Sequence, residues 1–505
     1  MAMRIVARKG LLIGITFFLS VHAGEQWLEG KTGSATRPSE SGLDDAFDDG
    51  LSKARQEFTS DLLLTIWVCD EQGIRRIGRT PVEGRVTIPK CRWWAVEPLN
   101  GEGLDEVLAT AKATGNMPGL WLPQKFGDTG VAHLGEWPHL KTLVVGFGKI
   151  TNAGMVCLKN LKELETLYLT FLKIDDNGLA NIKDLHELRD LYLCGTPITD
   201  AGLVYLKDMH SLRYLGLGDT KITDAGVAEL TGLRQLKTIA LDGLPITDVG
   251  LERLSTMSGV EALILDGTHI TDAGLGTLKN MTSLQDLWLD STKITDAGLV
   301  RLKEVRDLRA LVLGHTQITD VGLASLRGMV KLRALYLNSL PITDAGLVNL
   351  KEMRVLKELR LSQTEIGDPG LSNLKGLAEL EALYLDGTGI TDSGMLVIRD
   401  LKNLKRLELG RTKVTDAGLT SLTGLPSLRF LDLSRLVVSD AGLGDLEKLK
   451  GLEELDLTRT RVTDAGLGHL GNMKGLRKLW LSGTAISGAG LEKLVEALPN
   501  TEIRR

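Results

Sequence analysis

Residues 188–211 read Leu-Arg-Asp-Leu-Tyr-Leu-Cys-Gly-Thr-Pro-Ile-Thr-Asp-Ala-Gly-Leu-Val-Tyr-Leu-Lys-Asp-Met-His-Ser. Leu191 and Leu193 alternate with Asp190, Tyr192 and Cys194, the period of a short strand with one buried face. Ile198, Leu203, Leu206 and Met209 then follow helical or 3₁₀ spacing. Thr199 or Asp200 suits an N-cap, and with Thr199 as the cap Ile198 and Leu203 take the two staple positions. Gly202 has no β-carbon, so the turn can lie close to its neighbours.

The same pattern recurs every 24 residues from residue 128 onward without insertion or deletion. Its glycine stands at 130, 154, 178, 202 and onward to Gly490, and the Asp two places earlier is replaced only by Asn152 and Gly488. One repeat cannot bury its own leucines, so neighbours must stack and share a core. The consensus L-x-x-L-x-L-x-x-T-x-I-T-D-A-G-L resembles the leucine-rich repeat family, over roughly residues 118–505. That resemblance implies an α/β solenoid with a concave parallel sheet and short convex helices. It is similar to bacterial 24-residue repeats and to the repeats of F-box leucine-rich proteins, but no F-box segment is recognisable upstream. Thr fills the strand-exit position, as at Thr196, Thr220 and Thr268, where many family members carry Asn. Its hydroxyl can still bond local backbone. Leu244, Leu340 and Leu436 replace it at 96-residue intervals, as if blocks of four repeats had been duplicated.

Composition agrees. The chain of 505 residues is 43% hydrophobic but only 4% aromatic, which excludes disorder for most of it and an ordinary mixed core. Arg4, Arg8 and Lys9 precede an apolar run, Leu11 to Val21, and a small-residue site after Ala23. Residues 1–23 therefore read as a signal peptide, too short to span a bilayer stably; an uncleaved anchor is the alternative. Cleavage would take the net charge of −5 to −8. Residues 24–60, with Asp44, Asp45, Asp48 and Asp49 clustered, read as a solvated, disordered acidic linker. Residues 61–118 read as an N-terminal cap with strands over Leu62 to Cys69 and Arg85 to Val96, joined by a Gly-Pro-rich connector. Residues 119–490 form the array and 491–505 the C-terminal cap. Cys69 and Cys91 could form a disulfide across the first cap, or remain reduced and buried. Cys157 and Cys194 fall on opposite faces and should not pair.

No catalytic motif is present: no H-E-x-x-H, G-x-S-x-G, P-loop or paired C-x-x-C. The histidines scatter over the repeat grid and read as surface groups. No cofactor or metal is implied, and the chain reads as non-enzymatic. The outward strand positions hold Tyr168, Tyr192, Tyr214, Trp288, Tyr336, Tyr384, Phe430 and Trp480. Exposed aromatics of this kind anchor protein ligands, although strands favour aromatics without any ligand. Asp242, Asp266 and Asp290 form a ladder that a cation or basic ligand would relieve, unless it is simply solvated. Arg411, Arg435 and Arg459 lie beside Glu408, Asp432 and Asp456 as an expected surface ion network. A lysine or arginine near the end of most helices, such as Lys207, offsets the helix dipole or meets an anionic polymer.

The expectation is an exported scaffold, periplasmic, cell-surface or secreted, that binds a protein or peptide on its concave face. It would bind no nucleic acid and keep no stable membrane span once its signal is cleaved. The alternatives are a structural or adhesive envelope protein and, against the signal peptide, a ubiquitin-ligase adaptor.

Overall fold

The computed structural model describes five strands between residues 56 and 98, residues 119–122 and 124, and residues 126–505. The signal peptide, residues 24–55 of the stretch read as a disordered acidic linker and the Cys69–Cys91 pair lie outside the described residues or side chains. The end of that stretch is corrected, because Gln56–Phe58 is a strand paired antiparallel with Val86–Ile88. The chain divides into two compact parts, Met1–Leu287 and Trp288–Arg505. Both are built from the same 24-residue repeat, an α/β leucine-rich-repeat solenoid with a parallel sheet backed by short helices.

In the N-terminal part, strand Leu64–Asp70 pairs antiparallel with Gly73–Thr80 on one side and Trp93–Pro98 on the other. Gly73–Thr80 falls within the stretch read as a connector. Its sequence, Gly-Ile-Arg-Arg-Ile-Gly-Arg-Thr, lacks a clean alternation of apolar and polar residues. Val96 pairs in parallel with Leu120, and the parallel strands follow at 24-residue intervals from Thr142–Gly146 to Ala262–Ile264. The C-terminal part continues from Ala310–Val312 to Lys478–Trp480, and Glu502–Arg504 adds a last strand in the register Leu479 to Ile503.

Each repeat buries its leucines on the side facing the helices. Leu188, Leu191, Leu193, Ile198, Leu203, Leu206 and Met209 are all fully buried. Thr196 Oγ donates to the Leu193 carbonyl at 2.6 Å, and all ten threonines at this position make the same bond. The strand exit is thus closed without the amide side chain that asparagine would supply.

Thr199 caps the helical segment, accepting from the Ala201 N–H, and Asp200 begins it. The aspartate's own carboxylate has another partner. Asp200 accepts from the Thr223 N–H at 2.7 Å and the Thr223 hydroxyl at 2.6 Å, both in the following repeat. The pattern repeats, for example from Asp320 to Thr343 and from Asp440 to Thr463. Gly442 shows why the glycine is there: a β-carbon on it would lie 2.5 Å from the Asp416 carboxylate of the preceding repeat. Thr-Asp-x-Gly is therefore a joint between neighbours, with cap, acceptor and clearance contributed by different repeats. Asn152 replaces the acid once and exchanges two hydrogen bonds with Asp175 instead.

One further backbone feature recurs. The residue five places after the first outward strand residue lies in the left-handed region in all fifteen repeats from Phe147 to Gly483, with φ between 54° and 72°. Only Gly195, Gly243, Gly267, Gly387 and Gly483 are glycines, the residue this region favours. Phe171 lies over Gly195 and Gln363 over Gly387, so a side chain in one repeat occupies the space its neighbour leaves.

Candidate recognition face

The sheet's second face is packed more closely than alternation alone suggests. Tyr168, Tyr192 and Tyr214 project from it in three consecutive repeats but are only 5–6% exposed. Their rings stack with centroids 3.8 and 4.3 Å apart, and Trp121, Val144 and Cys194 complete the cluster. Trp288, Tyr336 and Tyr384 are likewise buried. The expected row of exposed aromatics is therefore corrected: six of the eight are covered. Strands about 4.8 Å apart bring adjacent rings into stacking contact and squeeze water from between them. Phe430 and Trp480 remain half-buried, their centroids 6.4 Å apart.

The acidic ladder is corrected too. Asp242 and Asp266 are buried rather than solvated. Burial, reinforced by the neighbouring Asp219 carboxylate, pushes Asp242 up to about 7. Its repelling neighbour is thus Asp219, at the left-handed position of the preceding repeat. Asp290 accepts from the Ser291 hydroxyl at 2.7 Å and lies 3.1 Å from His315 Nδ1.

In the C-terminal part, the face carries a ladder that the sequence reading missed. The Arg360 guanidinium lies between the Tyr336 and Tyr384 rings, 4.1 and 4.5 Å from their centroids. Arg406 lies 3.5 Å from the Phe430 centroid. Each arginine is held on its own strand by a glutamate two residues away. Arg360 Nε donates to Glu358 at 2.8 Å and Arg406 Nε to Glu408 at 2.8 Å. Opposite charges at i and i+2 on an outward strand face are a legible signal for such pairs.

Beyond Arg406, carboxylates converge: Asp386, Glu408 and Asp432 place oxygens within 4.8 Å of one another. Burial pushes Glu408 up to about 8 despite Arg406, and pushes Asp432 up to about 7 with help from Asp456 and Asp386. Such a trio can share protons near neutral pH, and its oxygen donors also suit a hard divalent cation. The spacing of 22 and 24 residues between its members is the sequence signal for it.

The expected arginine network does not form. Glu408 pairs with Arg406, while Asp432 and Asp456 accept from the Ser434 and Thr458 N–H groups at 2.7 Å. Arg411, Arg435 and Arg459 point away into solvent, at the left-handed positions. Of the histidines, His133, His139 and His469 each lie 2.8–3.0 Å from a glutamate oxygen, an ordinary surface arrangement. Cys157 and Cys194 are free thiols, as expected. Among the described residues no helix is long and apolar enough to cross a membrane.

Leucine-rich repeat models match residues 378–435 and, in a second form, residues 138–159, 306–326 and 352–375. Among solved structures, the chain is similar to an internalin from Listeria monocytogenes, with 25% identity over 66% of this chain and 94% of that one, at a TM-score of 0.49. A leucine-rich repeat protein from Leptospira interrogans aligns at 17% identity over 69% and 92% of the two chains, with a TM-score of 0.47. A plant peptide hormone receptor aligns at 15% identity over 75% and 81%, with a TM-score of 0.35. Comparison with curated proteins found no match. The family models match in both compact parts, and the strand, the hydroxyl-closed exit and the capped helix recur with the 24-residue period. On those grounds the chain is a leucine-rich repeat protein.

Proposed function

We propose that the protein is an exported, non-enzymatic recognition scaffold that binds a protein or peptide across the outer face of its repeat sheet. Leucine-rich repeats commonly mediate protein recognition, a fold-level argument that supports the class of function and not the ligand. The observation that carries the finer reading is the half-buried pair Phe430 and Trp480, left open where the other six outward aromatics are covered. Aromatic anchors held rigid by their surroundings lose little entropy when a ligand covers them. Tyr168, Tyr192 and Tyr214 then act as a prepacked platform in the N-terminal part, and Trp288, Tyr336 and Tyr384 as a second one in the C-terminal part. Asp242 and Asp266 in the N-terminal part and the half-buried Asp290 in the C-terminal part add carboxyl groups at the strand ends. Export rests on residues 1–23 and places the scaffold in a periplasmic, secreted or cell-surface setting.

Full-length protein immobilised through its C-terminus and exposed to native envelope extract should capture a defined partner. Phe430→Ser with Trp480→Ser should reduce that capture at least ~10-fold while the protein stays folded, with only a small fall in melting temperature. Capture of the same partner at the same affinity by the double variant overturns the sheet-face assignment. Intact Met1 on cytosolic protein overturns the export reading.

A specific feature of the C-terminal part favours a structural or adhesive role as the second reading. Val300, Val348 and Leu396 stand at the same repeat position on the helix side, 54%, 37% and 54% exposed. A file of apolar side chains there suits a broad, weakly selective contact.

A further inference from the structure

Five cations gather at the strand exits of three consecutive repeats in the C-terminal part: Arg411 and Lys413, then Arg435, then Arg459 and Arg461, all exposed. The three arginines at the left-handed position are successive rungs of the sheet, so their backbones lie about 5 Å apart. Gly387 and Gly483 occupy that position in the repeats on either side and end the row. None of the five forms an ion pair with a described residue, and Glu408, Asp432 and Asp456, close to the arginines in sequence, are engaged elsewhere. The row therefore repels itself: Arg411, with Arg459, lowers the proton affinity of Arg435. Between Lys413 and Arg461, at the same place in the middle repeat, stands Val437, 51% exposed.

A self-repelling cationic row with an open apolar residue at its centre is complementary to a ligand carrying clustered anions around an apolar group. We infer that this edge, distinct from the sheet face, binds an acidic peptide segment with an aliphatic or aromatic side chain between its carboxylates. Guanidinium forks match carboxylates two bonds at a time, and the long arginine stems can fan to meet them. Sugar sulfates or nucleic-acid phosphates would satisfy the arginines but offer nothing for Val437. Without a partner, the row only adds repulsion to a backbone conformation that five other repeats satisfy with glycine.

That last fact supplies the decisive variant. Glycine at positions 411, 435 and 459 deletes the charge and relaxes the backbone, so lost binding cannot be blamed on lost folding. Fluorescence anisotropy with full-length protein and a labelled Asp-Asp-Leu-Asp-Asp peptide should show saturable binding. The triple variant Arg411→Gly, Arg435→Gly, Arg459→Gly should weaken it at least ~10-fold while leaving the melting temperature unchanged or higher. Val437→Ser should weaken it a few-fold, roughly, and raising NaCl from about 50 to about 300 mM should weaken it strongly. Unchanged affinity in the triple variant, or equal binding of Asn-Asn-Leu-Asn-Asn, overturns the proposal. Indifference to Val437→Ser, with tighter binding of a sulfated oligosaccharide or an oligonucleotide, reassigns the edge to polyanions and also overturns it. If Asn at Asp44, Asp45, Asp48 and Asp49 raises peptide affinity, the chain's own acidic stretch occupies the edge, and the partner reading fails. Loss of capture in the Phe430/Trp480 variant bears on the sheet face and leaves these outcomes untouched.

Discussion

The Asp392 carboxylate accepts the Thr415 N–H at 2.8 Å and the Thr415 hydroxyl at 2.7 Å, joining one repeat to the next. A β-carbon on Gly418 would come within 2.5 Å of the same carboxylate. Asp392→Ala should cost about 1–3 kcal/mol, because it orphans a charge-assisted acceptor's two donors. Gly418→Ala should cost a comparable amount by displacing the carboxylate. The double variant should cost clearly less than the sum, since alanine fits once the acid is gone. Urea melts, with hydrogen exchange at the Thr415 amide, check this; strict additivity would show that the clearance has nothing to do with the acid.

The left-handed row separates backbone from contact effects. Gly267 has φ 69° and only backbone 3.7 Å away, so Gly267→Ala should cost about 1–2 kcal/mol from conformation alone. Ser339, with φ 56°, should gain up to about 1 kcal/mol when replaced by glycine. Thermal melts of the two variants should move in opposite directions.

Tyr192 is the middle ring of its stack. Tyr192→Ala should cost about 3–5 kcal/mol as a large buried truncation, and Tyr192→Phe clearly less, because it keeps the stacked ring and loses only the hydroxyl. The melting temperature should fall markedly in the first variant and only slightly in the second. A ligand-binding defect in Tyr192→Ala is interpretable only beside that control.

Protonation links the acidic trio to stability. Glu408 is pushed up to about 8 in the folded chain, against an ordinary value near 4.5 when unfolded. The folded state therefore binds the extra proton. Its contribution is fully present below the unfolded value and is lost as pH rises through the folded one. Asp432, at about 7, acts in the same sense. The melting temperature should fall between pH 6 and pH 9, and Glu408→Gln should flatten that fall. A steeper fall in the variant would contradict the assignment.

Thiol chemistry reports the two sides of the repeat. Burial pushes Cys157 up to about 11, and its Sγ donates to the Gly154 carbonyl at 2.9 Å. Burial, aided by Asp242, raises Cys194 further. Peptide mapping after iodoacetamide treatment at pH 8 should find both unmodified in native protein and both modified in denaturant.

Much of this was legible beforehand. Period 24 assigned the buried leucines and the repeat strands and narrowed the cap to Thr199 or Asp200, because each depends on neighbours within one repeat. The role of Asp200 was not legible, because its partner Thr223 lies in the next repeat and shares no local pattern with it. The left-handed position was hidden because Phe, Asp, His, Gln, Arg and Gly all fill it. Alternation correctly set Tyr168, Tyr192 and Tyr214 off the leucine side. It carries no information about whether adjacent rings meet, so their burial appeared only in three dimensions. Arg411, Arg435 and Arg459 were misread for a related reason: a reversed backbone turns them away from acids that are close in sequence.

The joint between repeats also bears on how such a chain changes over generations. Its three contributions, threonine, aspartate and glycine, sit at fixed places in most copies, so the bond across a junction seldom depends on which two copies meet. Copying or excising any whole block of 24 residues leaves a valid junction wherever the cut falls. An insertion of one residue after a single aspartate spoils that one junction, by changing the 23-residue separation of its donor and acceptor. Length is therefore an easily inherited variable in this architecture, while the outward residues of each copy are free to diverge toward whatever they touch.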